Sequence, residues 1–410
     1  MEKITSYPKD KIKILLLENI NDAAVDEIKN AGYPNVRKLQ TALEEDALIQ
    51  ELKGVHLLGI RSKTQITEKV LKKADKLLAI GCYCIGVNQV NLKAATARGV
   101  AVFNSPYSNT RSVAELIIGL SIMLIRKIPE KNKAAHEGLW LKDAKGCYEL
   151  RGKTLGIVGY GNIGSQVSIL AEAMGMKVIF YDVESKLPLG NAQSARTLRE
   201  VLQKADIVTL HVPSDDTTRN MINSSTLAWM KKGAILINYS RGDVVNIADL
   251  AAALREHHLS GAAIDVFPQE PEKTGAAFHT ELAGFPNVIL TPHIGGSTEE
   301  AQYNIGLDVT SKLLNFLEKG ITTGSHSIPP LNLSPQANTH RILHIHQNVP
   351  GVLGQINSRL SRHKINILGQ YLRTNEHIGY VVLDVNKAIS KEALALLKEI
   401  KETIKVRLLY

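Results

Sequence analysis

The feature that most constrains the fold is a repeated alternation of short apolar runs with stretches of helical spacing. The apolar runs form two series, at residues 12–17, 54–60, 77–80 and 100–103, and near 155–158, 177–181, 207–210, 234–238, 262–265 and 288–290. Buried strands that alternate with helices are typical of βαβ units, in which helices cover both faces of a parallel sheet. The sequence therefore predicts two doubly wound α/β domains, with long helices over about 112–126 and 299–319.

A third, smaller domain is predicted at the C-terminus. Residues 322–339 are rich in Ser, Thr, Asn and Pro, a composition that is typical of linkers and loops. From Arg341 to Tyr410 the pattern is strand, helix, strand, strand, helix, strand, which is the order of a ferredoxin-like α+β fold. We therefore expect a linker over 331–339 and an α+β domain over 340–410, and a chain of 410 residues is long enough for three domains.

Composition and charge exclude several classes of function. No apolar run approaches the roughly 20 residues of a membrane-spanning helix, and the first residues lack the apolar segment of a secretory signal. Three cysteines without a metal-binding spacing fit a reducing compartment and no metal site. The net charge of +9 is spread along the chain, and aromatic residues make up only 5%, too few to stack nucleic-acid bases. We expect a cytoplasmic protein that binds neither membrane nor nucleic acid and whose positive charge favours small anionic ligands.

A glycine-rich segment opens the second series. Gly159, Gly161 and Gly164 form the pattern G-x-G-x-x-G between an apolar run and a helix that starts near Asn162. The first glycine permits a tight turn, the second lets the backbone approach a pyrophosphate, and the third lets helix and strand pack closely. The N-terminus of the helix adds unpaired N–H groups and the positive end of its dipole. This pattern predicts a Rossmann-like domain that binds a dinucleotide.

An acidic residue at the end of the next strand indicates which dinucleotide is bound. Asp182 follows the run 177–181, where a carboxylate can accept hydrogen bonds from the adenosine ribose and repel a 2′-phosphate. NAD is therefore favoured as the cofactor. Lys186 and Arg196 follow Asp182 and keep NADP open as the alternative.

Three side chains that suit hydride-transfer chemistry come after the last three apolar runs of the second series. They are Arg241, Glu270 and His293. The carboxyl ends of parallel strands meet at one edge of the sheet, where ligands bind. Oxidation of an alcohol needs a group that takes the hydroxyl proton, a group that orients this base, and a cation that holds the substrate. An imidazole, a carboxylate and a planar guanidinium can supply these three functions.

These motifs resemble those of the D-isomer-specific 2-hydroxy-acid dehydrogenases, and the resemblance covers nearly the whole chain. It implies that His293 is the general acid and base, and that Glu270 orients it and keeps it basic. It also implies that Arg241 binds the α-carboxylate and the reacting oxygen. Other segments that carry the resemblance are 81–90, 104–115 and 151–161.

The resemblance also implies the division into domains and the cofactor contacts. Residues 1–108 and 296–330 would form one discontinuous substrate-binding domain, into which an NAD-binding domain, 109–295, is inserted. Asp265 would lie near the nicotinamide carboxamide. The residues implied to line the NAD site are Gly159, Gly161, Asn162, Ile163, Gly164, Asp182, Tyr239, Ser240, Asp265, Gly295 and Gly296.

The substrate side is indicated by a short basic segment. Arg61, Ser62 and Lys63 directly follow the run 54–60, so they are expected at the ligand-facing edge of the first sheet. The resemblance is closest to members that oxidise 3-phospho-D-glycerate to 3-phosphohydroxypyruvate, the first step of serine biosynthesis. It implies that Arg61, Ser62 and Asn109 contact 3-phosphoglycerate, and that Lys63 and Lys142, the latter from a neighbouring subunit, bind its phosphate.

Other activities stay open at this point. Gln40 stands where the closest relatives carry a further lysine on the phosphate side. The enzyme could also reduce 2-oxoglutarate to 2-hydroxyglutarate, or act on another acid such as glyoxylate or hydroxypyruvate. A regulator that senses NAD without catalysis is the third alternative, although the presence of Arg241, Glu270 and His293 argues against it.

The C-terminal residues resemble an ACT domain, a ferredoxin-like module that binds amino acids at a dimer interface. The resemblance implies L-serine as a feedback inhibitor, contacted by His346, Asn348 and, from the facing subunit, Asn366. Serine that bridges two ACT domains would bias hinge closure, for which a differential affinity of about 1–3 kcal/mol is sufficient. The implied assembly is a homo-oligomer, a tetramer formed through the cofactor and ACT domains. The alternative is a dimerisation module without a ligand, and the linker lacks the glycine pair expected before Arg341.

Overall fold

The computed structural model describes residues 7–271 and 275–409. By the density of its internal contacts, the chain divides into two compact units, Met1–Ser108 together with Gln302–Tyr410, and Asn109–Ala301. The first unit contains two sheets and the second contains one. The middle of the chain is therefore a unit inserted into the sequence of the other.

Strands and helices alternate along most of the chain, as parallel sheets require. The strands are β1 Ile14–Leu16, β2 Val36–Lys38, β3 Leu57–Ile60, β4 Ala79–Cys82, β5 Ala101–Asn104, β6 Thr154–Val158, β7 Lys177–Tyr181, β8 Gln193–Ser194, β9 Ile207–Leu210, β10 Ala234–Asn238, β11 Leu259–Ile264, β12 Val288–Leu290, β13 Thr339–Gln347, β14 Ile367–Thr374, β15 Ile378–Asn386 and β16 Thr403–Leu409. The helices are α1 Asp22–Asn30, α2 Glu45–Glu51, α3 Glu68–Lys73, α4 Leu92–Ala97, α5 Thr110–Ile125, α6 Ile128–His136, α7 Asn162–Ala173, α8 Leu198–Lys204, α9 Ser224–Leu227, α10 Ile247–Arg255, α11 Glu299–Lys319, α12 Val352–Arg362 and α13 Ser390–Lys398. Of these described helices, none is long and apolar enough to cross a membrane.

The first unit begins with a five-stranded parallel sheet in the order β2-β1-β3-β4-β5. Every residue of β1, β3, β4 and β5 is buried, as expected for a parallel sheet that is covered on both faces. The sequence does not indicate β2, whose Val-Arg-Lys residues are only partly buried at the sheet edge. An edge strand of this kind lacks the apolar run that marks the central strands.

Helix α11 returns from the inserted segment and packs on this first sheet. A Cβ at Gly81 of β4 would lie 2.6 Å from Cγ1 of Val309 and 2.8 Å from Cδ1 of Leu313. Only glycine therefore allows α11 to approach β4 so closely. The hydroxyls of Tyr83 and Thr310 share a hydrogen bond of 2.8 Å at the same contact.

The second unit contains a seven-stranded parallel sheet in the order β12-β11-β10-β9-β6-β7-β8. Strands β6 to β8 extend from the middle of the sheet in one direction, and β9 to β12 extend in the other. The order therefore reverses between β6 and β9. Ligands of doubly wound sheets bind beyond the carboxyl ends of the strands at such a reversal, and α7 begins there, directly after β6.

The C-terminal sheet is antiparallel, in the order β14-β15-β13-β16, and carries α12 and α13. On β13, Ile342 packs among residues of these helices. Its neighbours Leu343 and Ile345 belong instead to the core of the first sheet, so both faces of β13 are buried. The predicted fold class, two Rossmann-like sheets and a ferredoxin-like C-terminal domain, is confirmed.

The first half of the polar segment 322–339 is packed, although its composition is typical of a linker. The His326 amide donates to the carbonyl of Val102 at 2.8 Å, and the Ser327 hydroxyl donates to the carbonyl of Val100 at 2.7 Å. Residues 327–329 are buried, and the longest exposed run of the segment is 334–338. The small polar side chains that suggest a linker form hydrogen bonds here with backbone groups at and beside β5.

A buried ion pair joins β13 and β15 near the start of β13. Nε and Nη2 of Arg341 donate to the two carboxylate oxygens of Asp384 at 2.8 and 3.0 Å. The same guanidinium donates to the carbonyls of Lys319, Leu333 and Ser334. The two side chains are 6% and 3% exposed. All five donors of the guanidinium are thus used, which ties the end of α11, the exposed stretch and the sheet together.

We predict that Asp384→Ala destabilises this region by about 3–5 kcal/mol, because it leaves the Arg341 charge buried and unpaired. The measurement is native-state hydrogen exchange of the β13 amides under increasing denaturant. The control is Glu399→Ala, which removes the partner of Arg359 in a pair that is 33% and 68% exposed and should cost at most about 1 kcal/mol. Equal effects of the two substitutions would contradict the prediction.

Candidate functional site

The glycine loop after β6 has one position that opens onto free space. A Cβ at Gly159, whose φ is +91°, would lie 2.5 Å from the carbonyl oxygen of His211, and a Cβ at Gly164 would lie 2.2 Å from the Gly159 oxygen. A Cβ at Gly161 would meet no atom within 4 Å. The protein's own backbone therefore requires the first and third glycines. The second leaves a space beside the N-terminus of α7, where Asn162 and Ile163 begin the helix.

Asp182 links this loop to the end of β7. Its Oδ2 accepts a hydrogen bond of 2.7 Å from the Tyr160 amide, and its Oδ1 accepts one of 2.9 Å from the Glu184 amide. Each carboxylate oxygen keeps a further lone pair for a ribose hydroxyl. Lys186, which kept NADP open, forms an ion pair with Glu184. Its charge is therefore already partnered.

The three candidate catalytic residues lie beyond the carboxyl ends of the neighbouring strands β10, β11 and β12. Nδ1 of His293 and Oε2 of Glu270 are 2.7 Å apart. A Cβ at Gly242, next to Arg241, would lie 2.0 Å from the carbonyl carbon of Phe267. Only glycine therefore lets the loop that carries Arg241 lie against the loop that leads to Glu270. The structure brings all three side chains to one edge of the sheet.

The loop that carries His293 is held by a buried carboxylate. Asp265 is 1% exposed and accepts hydrogen bonds from the Thr291 hydroxyl at 2.6 Å and from the amides of Ile294 and Gly295 at 2.8 Å each. The His293 amide donates to the Asp265 carbonyl at 2.9 Å, and His293 itself has a left-handed φ of +55°. Asp265 thus orders the catalytic loop, a task that the sequence does not reveal.

The charges in this cluster set the protonation of the imidazole. The hydrogen bond that His293 donates to the Glu270 carboxylate raises the pKa of His293 above its ordinary value, although burial opposes this shift. Burial alone would raise the pKa of Glu270, but hydrogen bonds from His293 and from the Phe267 amide bring it below its ordinary value. The nearby guanidinium of Arg241 lowers the pKa of both groups. A carboxylate on Nδ1 leaves Nε2 of the imidazole to exchange a proton with a substrate.

Neighbouring residues shape the same edge. The Tyr239 hydroxyl is 2.7 Å from the hydroxyl of Thr291, and Ser240 is buried and bonded to Asn238. A Cβ at Gly295 would lie 2.9 Å from Cδ1 of Tyr239. The second glycine of the pair, Gly296, similarly leaves room for the side chain of Asn109, the residue before α5. Asn238 and Thr291 are polar residues at or beside strand ends, which is the signal that could have identified them.

The expected substrate residues of the first unit lie beyond β3. Arg61 is half-buried, and Ser62 and Lys63 are exposed, all at the carboxyl end of the strand. Gln40 is exposed in the loop after β2. The two cations before it are already paired, Arg37 with Glu51 and Lys38 with Asp22. In the second unit, Lys142 lies in an exposed loop after α6.

The expected effector residues lie at the end of β13 and in nearby loops. His346 is buried; its Nδ1 lies 2.7 Å from the Gln347 carbonyl, and its Nε2 has no hydrogen-bond partner among the described residues. Nδ2 of the Asn348 side chain donates to the carbonyl of Asn375 at 2.7 Å. Asn366 is exposed in the loop before β14. A buried imidazole nitrogen without a partner is unusual and is consistent with a ligand at this end of the sheet.

Comparisons with known proteins match both parts of this architecture. The family described as "D-isomer specific 2-hydroxyacid dehydrogenase, NAD binding domain" matches residues 118–295, and "AHAS small subunit-like ACT domain" matches residues 342–407. A D-3-phosphoglycerate dehydrogenase of Haemophilus influenzae is 50% identical over 410 residues, covering 100% of both chains. The protein of the same name from Escherichia coli is 49% identical over 407 residues, covering 99% of each chain. The chain belongs to the D-isomer-specific 2-hydroxyacid dehydrogenase family.

Solved structures of the family agree with this assignment. A D-lactate dehydrogenase from Aquifex aeolicus, complexed with NAD and lactic acid, has a TM-score of 0.66 and 28% identity, covering 77% of this chain and 100% of that chain. As a member of the family, the chain is an NAD-dependent oxidoreductase with a C-terminal ACT domain. The glycine loop fits this cofactor, because the free space at Gly161 lies at a helix N-terminus, where a pyrophosphate binds. In the described part of the chain, no cluster of His, Cys, Asp or Glu could hold a metal ion.

We predict that Gly161→Ala leaves the fold unchanged but weakens NAD binding. The added methyl group meets no protein atom, yet it would occupy the space that the pyrophosphate approaches. Titration of NAD by calorimetry measures the effect, with the melting temperature as a check on folding. Gly119→Ala, where an added Cβ also meets nothing, is the control within helix α5. Unchanged NAD affinity in Gly161→Ala would show that the loop does not hold the pyrophosphate.

A second prediction concerns the acid limb of the pH profile. A base role of His293 requires its unprotonated form for oxidation, and Glu270 raises the pKa of this imidazole. Glu270→Gln should therefore move the acid limb of kcat/KM for oxidation to lower pH, while kcat falls because the imidazole is no longer oriented. In the reduction direction, which needs the imidazolium, the basic limb should move to lower pH as well. If the midpoint of the acid limb stays at the wild-type pH in Glu270→Gln, Glu270 does not control the pKa of His293.

Proposed function

We propose that this enzyme oxidises 3-phospho-D-glycerate at C2 to 3-phosphohydroxypyruvate, the first step of serine biosynthesis. The observation that supports the proposal is the sequence identity of about 50%, over the full chain, with proteins named D-3-phosphoglycerate dehydrogenase. The cluster of Arg241, Glu270 and His293 supplies the groups that the reaction needs. Residues 1–108 and 296–330 would bind the substrate, 109–295 would bind NAD, and 340–410 would regulate.

The protein groups act on the substrate in three ways. NAD, when bound, supplies the acceptor for the hydride that leaves C2. Nε2 of His293 takes the hydroxyl proton, so that the C–H and O–H bonds break as the carbonyl forms. Glu270, bonded to Nδ1 at 2.7 Å, holds the ring and stabilises the imidazolium. The planar fork of Arg241 binds the α-carboxylate and polarises the reacting oxygen.

The phosphate selects the substrate in this proposal. Arg61 and Lys63 are cations at the carboxyl end of a buried strand, and Lys142 would join them from a neighbouring subunit. Ser62 and Asn109 would contact the rest of the molecule. Because Gln40 is uncharged and the two cations before it are paired, the phosphate depends more heavily on Arg61 and Lys63. A second anionic group could also be a carboxylate, which supports 2-oxoglutarate reduction as a side activity.

The ACT domain supports regulation by an amino acid, and we propose L-serine as the effector. His346 offers a buried nitrogen without a described partner, and Asn348 lies beside it. Asn366 would come from the facing subunit. Such a site requires paired ACT domains, which fits a tetramer assembled through the cofactor and ACT domains. The three free cysteines fit a cytoplasmic enzyme.

The decisive assay compares NADH formation from 3-phosphoglycerate and from D-glycerate, with and without L-serine. We expect kcat/KM to favour the phosphorylated substrate, and Lys63→Ala to reduce this preference roughly tenfold to a hundredfold, the value of one charged hydrogen bond. Arg241→Ala should lower turnover of both substrates. Equal turnover of the two substrates would favour another 2-hydroxy acid, and no turnover of any would favour an NAD-sensing regulator. An enzyme that ignores millimolar serine would refute the effector assignment.

A further inference from the structure

Glu18 combines an unusual backbone conformation with a buried charge. It lies just beyond β1, is 7% exposed, and has a left-handed φ of +59°. Asn19 follows with a φ of +51°. Residues other than glycine rarely adopt this region, and such strain persists only where the surroundings compensate it. The conformation of Glu18 therefore needs an explanation in its contacts.

The contacts of Glu18 converge on the backbone of a single loop. Its Oε1 accepts hydrogen bonds from the amides of Arg61 and Thr64 at 3.1 and 2.9 Å, and its Oε2 accepts one of 3.0 Å from the amide of Lys63. The parallel register pairs Leu16 with Gly59, so Glu18 continues β1 beside the first residue of this loop. The carboxylate thus compensates its own strained backbone by ordering the segment that follows β3.

Converging backbone amides are usually a binding site for an external anion. Phosphates and other anions sit in concavities formed by successive N–H groups. Here the Glu18 carboxylate occupies that place, and three of the loop's amides are used by it. These three amides are not available to an incoming anion, which meets the side chains of Arg61 and Lys63 instead.

The other side of the loop is held by a second buried residue. Nε2 of Gln89, which is 3% exposed, donates to the carbonyl of Arg61 at 2.6 Å. Arg61 is thus fixed through its amide by Glu18 and through its carbonyl by Gln89. The side chains of Ser62 and Lys63 remain exposed. The loop has a rigid backbone and free polar side chains, which is the arrangement that a selective binding loop requires.

We propose that Glu18 is a positioning residue that shapes the loop Arg61–Thr64, so that the two cations of this loop bind the distal anionic group of the substrate. The proposal rests on the proposed function, which assigns this loop to the substrate. Glu18 itself touches no substrate. It acts through the backbone of the loop, and Gln89 assists it from the opposite side.

The direction in which Glu18→Gln changes the KM for the anionic substrate distinguishes a positioning role from a purely electrostatic one. Glu18 places a negative charge beside Arg61 and Lys63, so its removal makes the loop more positive. If charge alone mattered, Glu18→Gln would lower the KM for an anionic substrate. If Glu18 positions the loop, the same change raises this KM. The glutamine oxygen can accept only part of the bonds, because its NH2 group would face one of the backbone amides.

The experiment is steady-state kinetics of the full-length Glu18→Gln enzyme with 3-phosphoglycerate and D-glycerate. We expect the KM for 3-phosphoglycerate to rise by about tenfold to a hundredfold, as a misplacement of about 1 Å can cause. The KM for NAD should stay close to its wild-type value, and the KM for D-glycerate should rise less than the KM for 3-phosphoglycerate. An unchanged or lowered KM for 3-phosphoglycerate would overturn the proposal.

A matched control separates positioning from loss of stability. Asp206 lies at the start of β9, and its carboxylate accepts a hydrogen bond of 2.8 Å from the backbone amide of Thr154 in the neighbouring strand β6. This end of the sheet is opposite to the end that carries the candidate catalytic loops. Asp206→Asn should lower the melting temperature without changing the KM for 3-phosphoglycerate. If both variants change all kinetic parameters alike, Glu18 has only a structural role.

A second variant keeps the test independent of the folding of Glu18→Gln. Gln89→Met removes the donor to the Arg61 carbonyl and preserves the carboxylate, so it should raise the same KM with no change in local charge. If the wild-type enzyme does not prefer 3-phosphoglycerate over D-glycerate, the proposed substrate is wrong. The Glu18 proposal is then decided by the KM of the variants for D-2-hydroxyglutarate or whichever anionic acid the wild type oxidises.

Discussion

The geometry of the catalytic edge depends on the buried carboxylate of Asp265. This group accepts hydrogen bonds from the Thr291 hydroxyl and from the amides of Ile294 and Gly295, and in doing so it holds His293 in a left-handed conformation. The imidazole can then meet Glu270 at 2.7 Å. A buried carboxylate is stable only when hydrogen bonds replace its lost hydration. The loop and the acid therefore stabilise each other, and the catalytic pair is a consequence of this mutual dependence.

The same physical device recurs at the other ligand-facing loops. Asp182 joins the glycine loop to the end of β7 through the amides of Tyr160 and Glu184, and Glu18 orders the loop after β3. In each case an acid beyond a parallel strand accepts amides that a turn would otherwise leave unpaired. At the loop after β3, the internal anion uses up three backbone donors, so that the side chains of Arg61 and Lys63 are left to bind an external anion.

The strands and the candidate catalytic residues could be predicted because their signals are local. Apolar runs mark the buried strands, and the position of a polar residue directly after such a run places Arg241 and His293 at the ligand-facing edge. The tasks of Asp265 and Glu18 could not be predicted, since they depend on hydrogen-bond donors that lie 26 or more residues away along the chain. Strand β2 and the packing of 322–329 were missed for a related reason. Polar composition alone does not show whether a segment is solvated or bonded to a neighbouring strand edge.

The course of β13 bears on how an effector could influence the rest of the chain. Arg341, near its beginning, is bonded to the end of α11 through Lys319 and to Asp384 across the sheet, whereas His346, near its end, presents a nitrogen without a described partner. Between them, Leu343 and Ile345 belong to the core of the first sheet. The proposed effector site at His346 and the end of α11 are thus joined by one strand that is bonded at its start and packed along its length. The proposed regulation therefore has a continuous connection to the first sheet, although the glycine pair expected before Arg341 is missing.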